Sequence, residues 1–163
     1  MKAILQRVDD ANVSVDNNKI CQIGTGWLVL LGVAKTDTEN DAAYLAEKTL
    51  SLRMFSDSND KFNLNVMDIK GDILVVSQFT LLADCRKGRR PNFQDAAEPD
   101  LGERLYNLYV EKLKSSGLKV VTGIFGARMK VSLINAGPVT ITLESERNTY
   151  QSVHSAKTQK EES

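Results

Sequence analysis

The stretch Ile73-Leu74-Val75-Val76-Ser77-Gln78-Phe79-Thr80-Leu81 begins with four aliphatic residues and then turns polar. A second run, Trp27-Leu28-Val29-Leu30-Leu31, is apolar at every residue. Short runs that are apolar throughout are typical of strands covered on both faces, whereas a half-exposed strand alternates. We therefore predict two buried strands, at 27–31 and 73–76, and the second leads directly into the polar segment.

The surrounding sequence predicts further strands. Four segments have a strand-like pattern of apolar residues: 3–15, 20–23, 129–133 and 139–143. Asp16-Asn17-Asn18-Lys19 separates the first two and predicts a hairpin turn, because Asp and Asn tolerate left-handed backbone conformations. Asn135-Ala136-Gly137-Pro138 separates the last two, so we predict two strands on either side of a turn.

Two principal helices are predicted between the strands. The first begins after Thr38, where Asp41 completes a capping-box pattern, and the second begins at Pro99 and ends near Gly117. Their predicted core faces are Ala43, Ala46, Leu50 and Met54 on the first helix and Leu101, Leu105, Leu108, Tyr109 and Leu113 on the second. This order of elements predicts a single α+β domain over residues 1–145 with a mainly antiparallel sheet, followed by a polar tail, 146–163, that we expect to be mobile.

Composition restricts the class of protein. The 163 residues fit one domain, and the 42% hydrophobic content supports a sizeable core. Lys and Arg together number 21, as do Asp and Glu, so any nucleic-acid contact must be local. The longest apolar stretch, 26–34, is about half the length of a membrane-spanning helix, and the N-terminus turns polar too early for a signal peptide. We expect a soluble, cytoplasmic protein with no membrane partner.

Histidine and cysteine are scarce, which limits the chemistry. Cys21 and Cys85 match no metal-binding spacing, and we predict free, buried thiols in a reducing compartment. His154 is the only histidine and lies in the polar tail, where we expect an exposed side chain without a catalytic role. A histidine-activated serine or cysteine nucleophile is therefore disfavoured. Since the phosphate-binding glycine motifs are also absent, we expect neither a metal nor a cofactor.

Two polar segments are candidates for a site. Ser77, Gln78 and Thr80 either satisfy backbone groups where a strand leaves the core or present an amide and a hydroxyl to a ligand. Gly137-Pro138 is either an ordinary turn or a rigid corner, and a cis peptide bond is compatible with such a corner. In a rigid corner the carbonyls of Ala136 and Gly137 would lack ladder partners. Such carbonyl oxygens are suitable acceptors for an ammonium group.

A third candidate is the basic segment Arg86-Lys87-Gly88-Arg89-Arg90, which has four cations in five residues. It is either a solvated loop or a loop that binds phosphates, because clustered Arg and Lys displace the counterions of a nucleic-acid backbone. Composition does not decide between the two readings.

Together these segments resemble the D-aminoacyl-tRNA deacylase family, also called D-tyrosyl-tRNA deacylase. Five segments carry the resemblance: Gln6-Arg7-Val8, Ser77–Leu81, Lys87–Phe93, Phe125–Met129 and Asn135–Thr140. The match extends over about 145 residues from Met1, in the order that the family has. Each short motif is weak by itself, and their joint occurrence at these separations is specific.

The resemblance implies a homodimer, with a barrel-like β-sheet and helices on its outside, that hydrolyses the ester between a D-amino acid and the 3′-terminal ribose of tRNA. It also implies glycyl-tRNA as a substrate. By this resemblance Gly137 and Pro138, with Ala136 beside them, form a cis corner that binds the substrate amine in the partner's active site, and Arg7 holds that corner. The catalytic wall near the scissile ester would comprise Ser77, Gln78, Phe79 and Thr80.

Two mechanisms are open at this point. Either the Thr80 hydroxyl attacks the ester or positions water, or the ribose 2′-OH of the tRNA helps to activate water while backbone N–H groups near Phe79 and Thr80 stabilise the oxyanion. We favour the second, because the sequence places no base near Thr80.

Two other functions are also open. One is a non-catalytic RNA-binding dimer that uses the loop of Arg86, Lys87, Arg89 and Arg90, and the other is a deacylase for another aminoacyl group. The low aromatic content, 6%, disfavours the first, because platforms for unpaired bases need aromatic side chains. We expect tRNA rather than DNA as the partner.

Overall fold

The computed structural model describes residues 1–145, so the predicted tail, 146–163, and His154 lie outside the described residues. The elements in chain order are β1 (Lys2–Val15), β2 (Asn18–Ile23), β3 (Gly26–Gly32), α1 (Glu39–Ser51), β4 (Phe55–Ser56), β5 (Phe62–Leu64), β6 (Asp72–Ser77), a 3-10 helix (Phe79–Leu82), α2 (Pro99–Lys114), β7 (Val120–Thr122) and β8 (Lys130–Glu144). Both buried strands predicted from the apolar runs are confirmed as β3 and β6.

The long strand β1 organises the sheet. Its first half pairs antiparallel with β3, its second half forms a hairpin with β2, and its other edge pairs with β8. The hairpin turns at Asp16 and Asn17, whose φ angles of 49° and 63° lie in the left-handed region. The predicted hairpin is therefore confirmed.

The other half of the sheet is parallel, which the sequence did not reveal. β3 pairs in parallel with β6, and β6 pairs in parallel with β7. In each case the chain returns to the same end of the sheet through a segment that contains a helix, α1 or α2, as parallel pairing requires. The domain is thus the predicted single α+β unit with a barrel-like sheet and two helices, but "mainly antiparallel" has to be corrected to mixed.

Two apolar clusters lie on opposite faces of the sheet. The helices cover one face, where Trp27, Val29 and Leu31 of β3 pack with residues of α1 and α2. The other cluster includes Leu28 of β3 and lies between the central strands and the β1–β2 hairpin, because β2 packs across onto β6 and β7. Since both of its faces are covered, β3 is apolar at successive residues rather than at alternate ones.

The helices pack against each other and begin where predicted. The capping box is present, since the Thr38 backbone N–H donates to an Asp41 carboxylate oxygen at 2.7 Å. The buried Thr49 hydroxyl donates to the Leu45 carbonyl and lies 2.7 Å from the Tyr109 hydroxyl, which joins α1 to α2. A hydrogen bond of this kind contributes about 1 kcal/mol.

The predicted helix faces are correct in part. Leu105, Tyr109 and Leu113 are fully buried, whereas Leu101 and Leu108 are half-buried. On α1 the buried residues are Ala42, Leu45, Ala46 and Thr49, so the true face is rotated from the predicted one and shares Ala46 with it. Ala43 and Leu50 lie at its margins, and Met54 lies beyond the end of the helix.

Two further predictions need correction. The predicted strands at 129–133 and 139–143 form a single strand, β8, because both parts pair with β1. Cys21 and Cys85 are free as predicted, but Cys21 is half-buried and Cys85 is exposed at the start of the basic segment. Among the described residues, no helix is both long and apolar enough to cross a bilayer.

Candidate active site

The polar segment lies where β6 ends. The strand stops at Ser77, and the chain then turns into the 3-10 helix that begins at Phe79. The Gln78 backbone N–H donates to the Leu31 carbonyl at 2.8 Å, which attaches the turn to the end of β3. The turn is therefore held by the two central parallel strands.

Hydrogen bonds within the turn define what it offers to a ligand. The Gln78 side-chain amide donates to the Thr80 hydroxyl oxygen at 2.5 Å. Within the described chain, the backbone N–H groups of Phe79 and Thr80 have no acceptor, as is usual for the first residues of a helix. Two neighbouring N–H donors are thus free at the start of the 3-10 helix.

A pocket of about 500 Å³ opens beside this turn. It lies at the carboxyl ends of β3 and β6, the edge of parallel strands where ligands usually bind. Ser77, Gln78 and Phe79 form one side of the lining. The rest of the lining consists mostly of small or apolar residues: Leu31, Val33, Val76, Ala96, Ala97, Pro99, Gly102, Tyr106, Phe125, Gly126, Ala127, Met129 and Val131.

The far wall of the pocket includes residues of the segment Phe125–Met129. This segment carries the family resemblance, but no pattern in the sequence indicates that it faces Ser77. Tyr106 packs its ring 5.7 Å from that of Phe125 and donates its hydroxyl to the Val75 carbonyl at 2.9 Å. Burial raises the pKa of Tyr106, so this phenol stays protonated and is unsuited to act as a base.

The Gly137-Pro138 corner is a bulge in β8. In the pairing with β1, Gln6 is opposite Thr140 and Val8 is opposite Asn135, so residues 136–139 have no partner on β1. The Gly137–Pro138 peptide bond is cis. The Asn135 side chain closes the bulge, because it accepts from the Val139 backbone N–H at 2.7 Å and donates to the Val139 carbonyl at 3.0 Å.

Arg7 holds the bulge from β1. Its Nε donates to the Ala136 carbonyl at 2.9 Å, its Nη1 donates to the Met54 carbonyl at 2.8 Å, and its guanidinium lies over the Phe62 ring at 5.2 Å. The Ala136 carbonyl has no ladder partner, as predicted, but the Arg7 side chain occupies it, so it is not available to a ligand. Among the described residues no donor reaches the carbonyl oxygens of Gly137 and Pro138, so these two remain available.

The structure does not bring the corner and the polar turn together within one chain. Arg7, which holds the corner, pairs across the sheet with Trp27 of β3, and Trp27 pairs with Ile73 of β6. The polar turn instead follows the pair of Leu31 and Ser77, four residues further along the same two strands. Four residues along a strand correspond to about 13 Å. Consistent with this separation, neither Gly137 nor Pro138 contributes to the lining of the pocket.

The basic segment forms a closed loop next to the pocket. Asp84 and Asn92 exchange two backbone hydrogen bonds of 2.8 and 2.9 Å, which fixes both ends of residues 85–91. Arg86 donates twice to the Asp84 carboxylate, and this holds the pKa of Asp84 at about 2. Arg86 therefore stabilises the start of the loop through its contact with Asp84. The three other cations of the loop, Lys87, Arg89 and Arg90, are exposed and have no carboxylate partner in the described part of the chain.

No metal centre accompanies these features within residues 1–145, since cysteine and acidic side chains do not gather in groups of three there. The described residues also contain no histidine. Fold and site together define a small α+β protein with a pocket at the ends of parallel strands, two free N–H donors in the turn beside the pocket and a basic loop that follows this turn in the chain.

Comparison with known proteins identifies the family. The family model of D-Tyr-tRNA(Tyr) deacylase matches residues 4–144. A D-aminoacyl-tRNA deacylase of Thermosipho melanesiensis is 55% identical over 148 residues, which cover 90% of this chain and 99% of that protein. One of Bacillus cytotoxicus is 53% identical over 145 residues, with coverage of 89% and 99%. The chain belongs to the D-Tyr-tRNA(Tyr) deacylase family, and the resemblance found in the sequence is confirmed.

Solved structures agree with this fold. One described as c-Myc DNA Unwinding Element Binding Protein is 42% identical, covers 90% of this chain and 99% of its own, and superposes with a TM-score of 0.84. A second, described as a probable eukaryotic D-amino acid tRNA deacylase, is 18% identical with a TM-score of 0.79, covers 88% of this chain and 98% of its own, and shows the fold alone.

Proposed function

We propose that two copies of this chain form a dimer in which each active site combines the pocket of one copy with the Gly137-Pro138 corner of the other. The reaction follows from family membership: the protein is an enzyme, a hydrolase that cleaves the ester of D-aminoacyl-tRNA to a D-amino acid and tRNA. The shared site is the step beyond that assignment, and the separation of about 13 Å between corner and turn supports it.

The surface around the corner supports dimerisation through β8. Leu133 and Ile134 of this strand are exposed, Ile134 by 60%. In the described part of the chain β8 pairs with β1 alone, so its second edge is free. A long strand with a free edge and exposed apolar side chains is a surface that proteins usually cover. A second copy packed there would protect the edge and carry the corner towards a neighbouring pocket.

Within such a site we assign amine recognition to the corner. The carbonyl oxygens of Gly137 and Pro138 are free to accept hydrogen bonds from a substrate ammonium group, and Arg7 and Asn135 fix their position. Once the amine and the ester are both held, the configuration at Cα determines where the side chain points. A D side chain, or the hydrogen of glycine, would point outward, whereas an L side chain would collide with the corner.

For catalysis we favour water activated with help from the ribose 2′-OH. The Thr80 hydroxyl receives a hydrogen bond from the Gln78 amide, which cannot accept a proton, so the turn offers no base to activate Thr80. Water would attack the ester carbonyl, and the backbone N–H groups of Phe79 and Thr80 would stabilise the oxyanion. The bond to O3′ then breaks, and the ribose oxygen leaves with a proton.

The basic loop would position the tRNA. Lys87, Arg89 and Arg90 are unpaired with carboxylates and can neutralise phosphates near the 3′ end, while Arg86 stabilises the loop through Asp84. Because the recognised group is an aminoacyl ester, we expect tRNA rather than DNA as the partner and the cytoplasm as the place of action.

A direct test follows the loss of ester from D-tyrosyl-tRNA and L-tyrosyl-tRNA with the purified protein. We expect the D ester to be cleaved at least about 10³-fold faster than the L ester, because collision discriminates more strongly than a missing methylene in a pocket. Glycyl-tRNA should be cleaved as well, since it has no side chain to collide with the corner. Rapid cleavage of L-tyrosyl-tRNA would refute the steric model.

Replacing Thr80 with alanine should leave appreciable activity. The substitution removes the hydroxyl but keeps the backbone N–H that we assign to the oxyanion, so kcat for D-tyrosyl-tRNA should fall by less than about tenfold. Single-turnover rates measure this effect without a contribution from product release. A fall to the uncatalysed rate would instead identify Thr80 as the nucleophile.

A further inference from the structure

We infer that Phe79 and Phe93 form a stacking platform for an unpaired base of the tRNA 3′ end, next to the aminoacylated terminal nucleotide. The inference rests on the proposed function, because it concerns how the same site takes hold of its substrate. It assigns a role to two aromatic side chains that neither the chemistry of the ester nor the packing of the core explains.

The two rings are exposed and in contact with each other. Phe79 is 57% exposed and Phe93 is 36% exposed, and their centroids lie 5.1 Å apart in an edge-to-face arrangement with an interplanar angle of 67°. Phe79 also lines the pocket, so the pair is continuous with the pocket rim. Large aromatic faces at the edge of a pocket are available for contact with a ligand that extends out of it.

The backbone on both sides holds Phe93 in place. Asn92, immediately before it, exchanges backbone hydrogen bonds with Asp84 and accepts from the Gln94 backbone N–H at 2.9 Å through its side chain. The Phe93 carbonyl accepts from the Ala96 backbone N–H at 3.0 Å. The platform is therefore anchored at the base of the basic loop, and Phe93 is separated by two residues from the wall of the pocket.

Charge favours single-stranded RNA over other occupants of this surface. Lys87, Arg89 and Arg90 lie in the loop that ends next to Phe93, and no described carboxylate pairs with them. Proteins recognise single-stranded nucleic acids with basic side chains that contact the phosphate backbone and aromatic side chains that stack on the bases. A duplex offers no free base face, whereas the 3′ end of tRNA is unpaired and must extend away from the pocket that holds its last nucleotide.

The experiment compares two esters that differ in the nucleotides that precede the terminal adenosine. One is D-tyrosyl-tRNA, and the other is D-tyrosyl-adenosine, which lacks every upstream base and phosphate. For Phe93→Ala we expect KM for the tRNA to rise about tenfold, from the loss of one stacked base, and KM for the adenosine ester to change less than twofold. Phe93→Trp should restore the lower KM and Phe93→Leu should not. Tyr44→Ala, which removes an exposed aromatic side chain on α1, is the matched control.

A salt titration tests the loop independently of the rings. Replacing Lys87, Arg89 and Arg90 with alanine should make the slope of log KM against log salt shallower by about 2, as expected for three phosphate contacts to a single strand. The matched control replaces three exposed cations of α2, Arg104, Lys112 and Lys114, and should leave that slope unchanged.

Three results would refute the inference. If Phe93→Ala raises both KM values in parallel, or neither, the platform is refuted although the deacylase stands. If the variant loses its dimeric state by gel filtration, the rings belong to a contact between copies and the inference is wrong. If the wild-type protein cleaves neither ester, the proposed function fails and the inference fails with it.

Discussion

Replacing Phe79 with proline should lower kcat for D-tyrosyl-tRNA by about 10²–10³-fold, the usual effect of removing one oxyanion donor. The substitution removes a backbone N–H that makes no hydrogen bond within the described chain, so no internal bond is lost. Proline is also compatible with this position, because Phe79 is the first residue of the 3-10 helix and Gln78 before it is not helical, with φ −147° and ψ 81°.

Phe79→Ala is the control that separates the N–H from the ring. It keeps the donor and removes the side chain, so kcat should stay close to the wild-type value while KM for the tRNA rises. Single-turnover rates at saturating D-tyrosyl-tRNA measure the difference between the two variants. Equal kcat values for the alanine and proline variants would rule out an oxyanion role for this N–H.

Mixing two inactive variants should restore activity. In a dimer formed from one Phe79→Pro subunit and one Gly137→Ala subunit, one of the two shared sites contains both wild-type elements and the other contains both substitutions. Random pairing therefore gives about a quarter of the wild-type activity, because half of the dimers are mixed and each mixed dimer has one intact site. Co-expression with two different tags, followed by purification on both, isolates the mixed dimer, which should have half of the wild-type activity.

The Gly137 variant should be inactive alone for a geometric reason. Gly137 has φ +140°, and a Cβ there would lie 2.9 Å from a methyl carbon of Val139 and 3.0 Å from Nη2 of Arg7. The corner would have to shift, and a shift of about 1 Å can cost about 10²-fold in rate. Gly117→Ala is the matched control, since Gly117 also has a positive φ, of 80°, but has open space around it. If the mixed dimer stays inactive, the site lies within one subunit.

The elements that the sequence predicted well are those determined locally. Asp16 and Asn17 produce the hairpin through their own backbone preferences, and Thr38 with Asp41 produces the start of α1. The apolar runs of β3 and β6 showed that both faces are covered. They could not show the direction of pairing, because a parallel strand and an antiparallel one buried on both faces have the same composition.

The features that the sequence did not reveal depend on long-range contacts. The bulge at residues 136–139 arises from the register of β8 against β1, which no local pattern encodes. The bidentate contact of Arg86 with Asp84 distinguishes it from the other cations of the loop, and the cluster of basic residues in the sequence does not indicate that difference. Phe125 and Met129 line a pocket with Ser77, about fifty residues earlier in the chain, and only tertiary packing brings them there.

The two unoccupied carbonyl oxygens of Gly137 and Pro138 have one more consequence. Main-chain oxygens that bind the amino group make no contact with the substrate side chain, so the enzyme should accept many different D-amino acids. Its preference for the D enantiomer should also be difficult to reverse by mutation. A side-chain substitution does not remove a peptide oxygen, so a preference for L-amino acids would require a different backbone conformation at this corner.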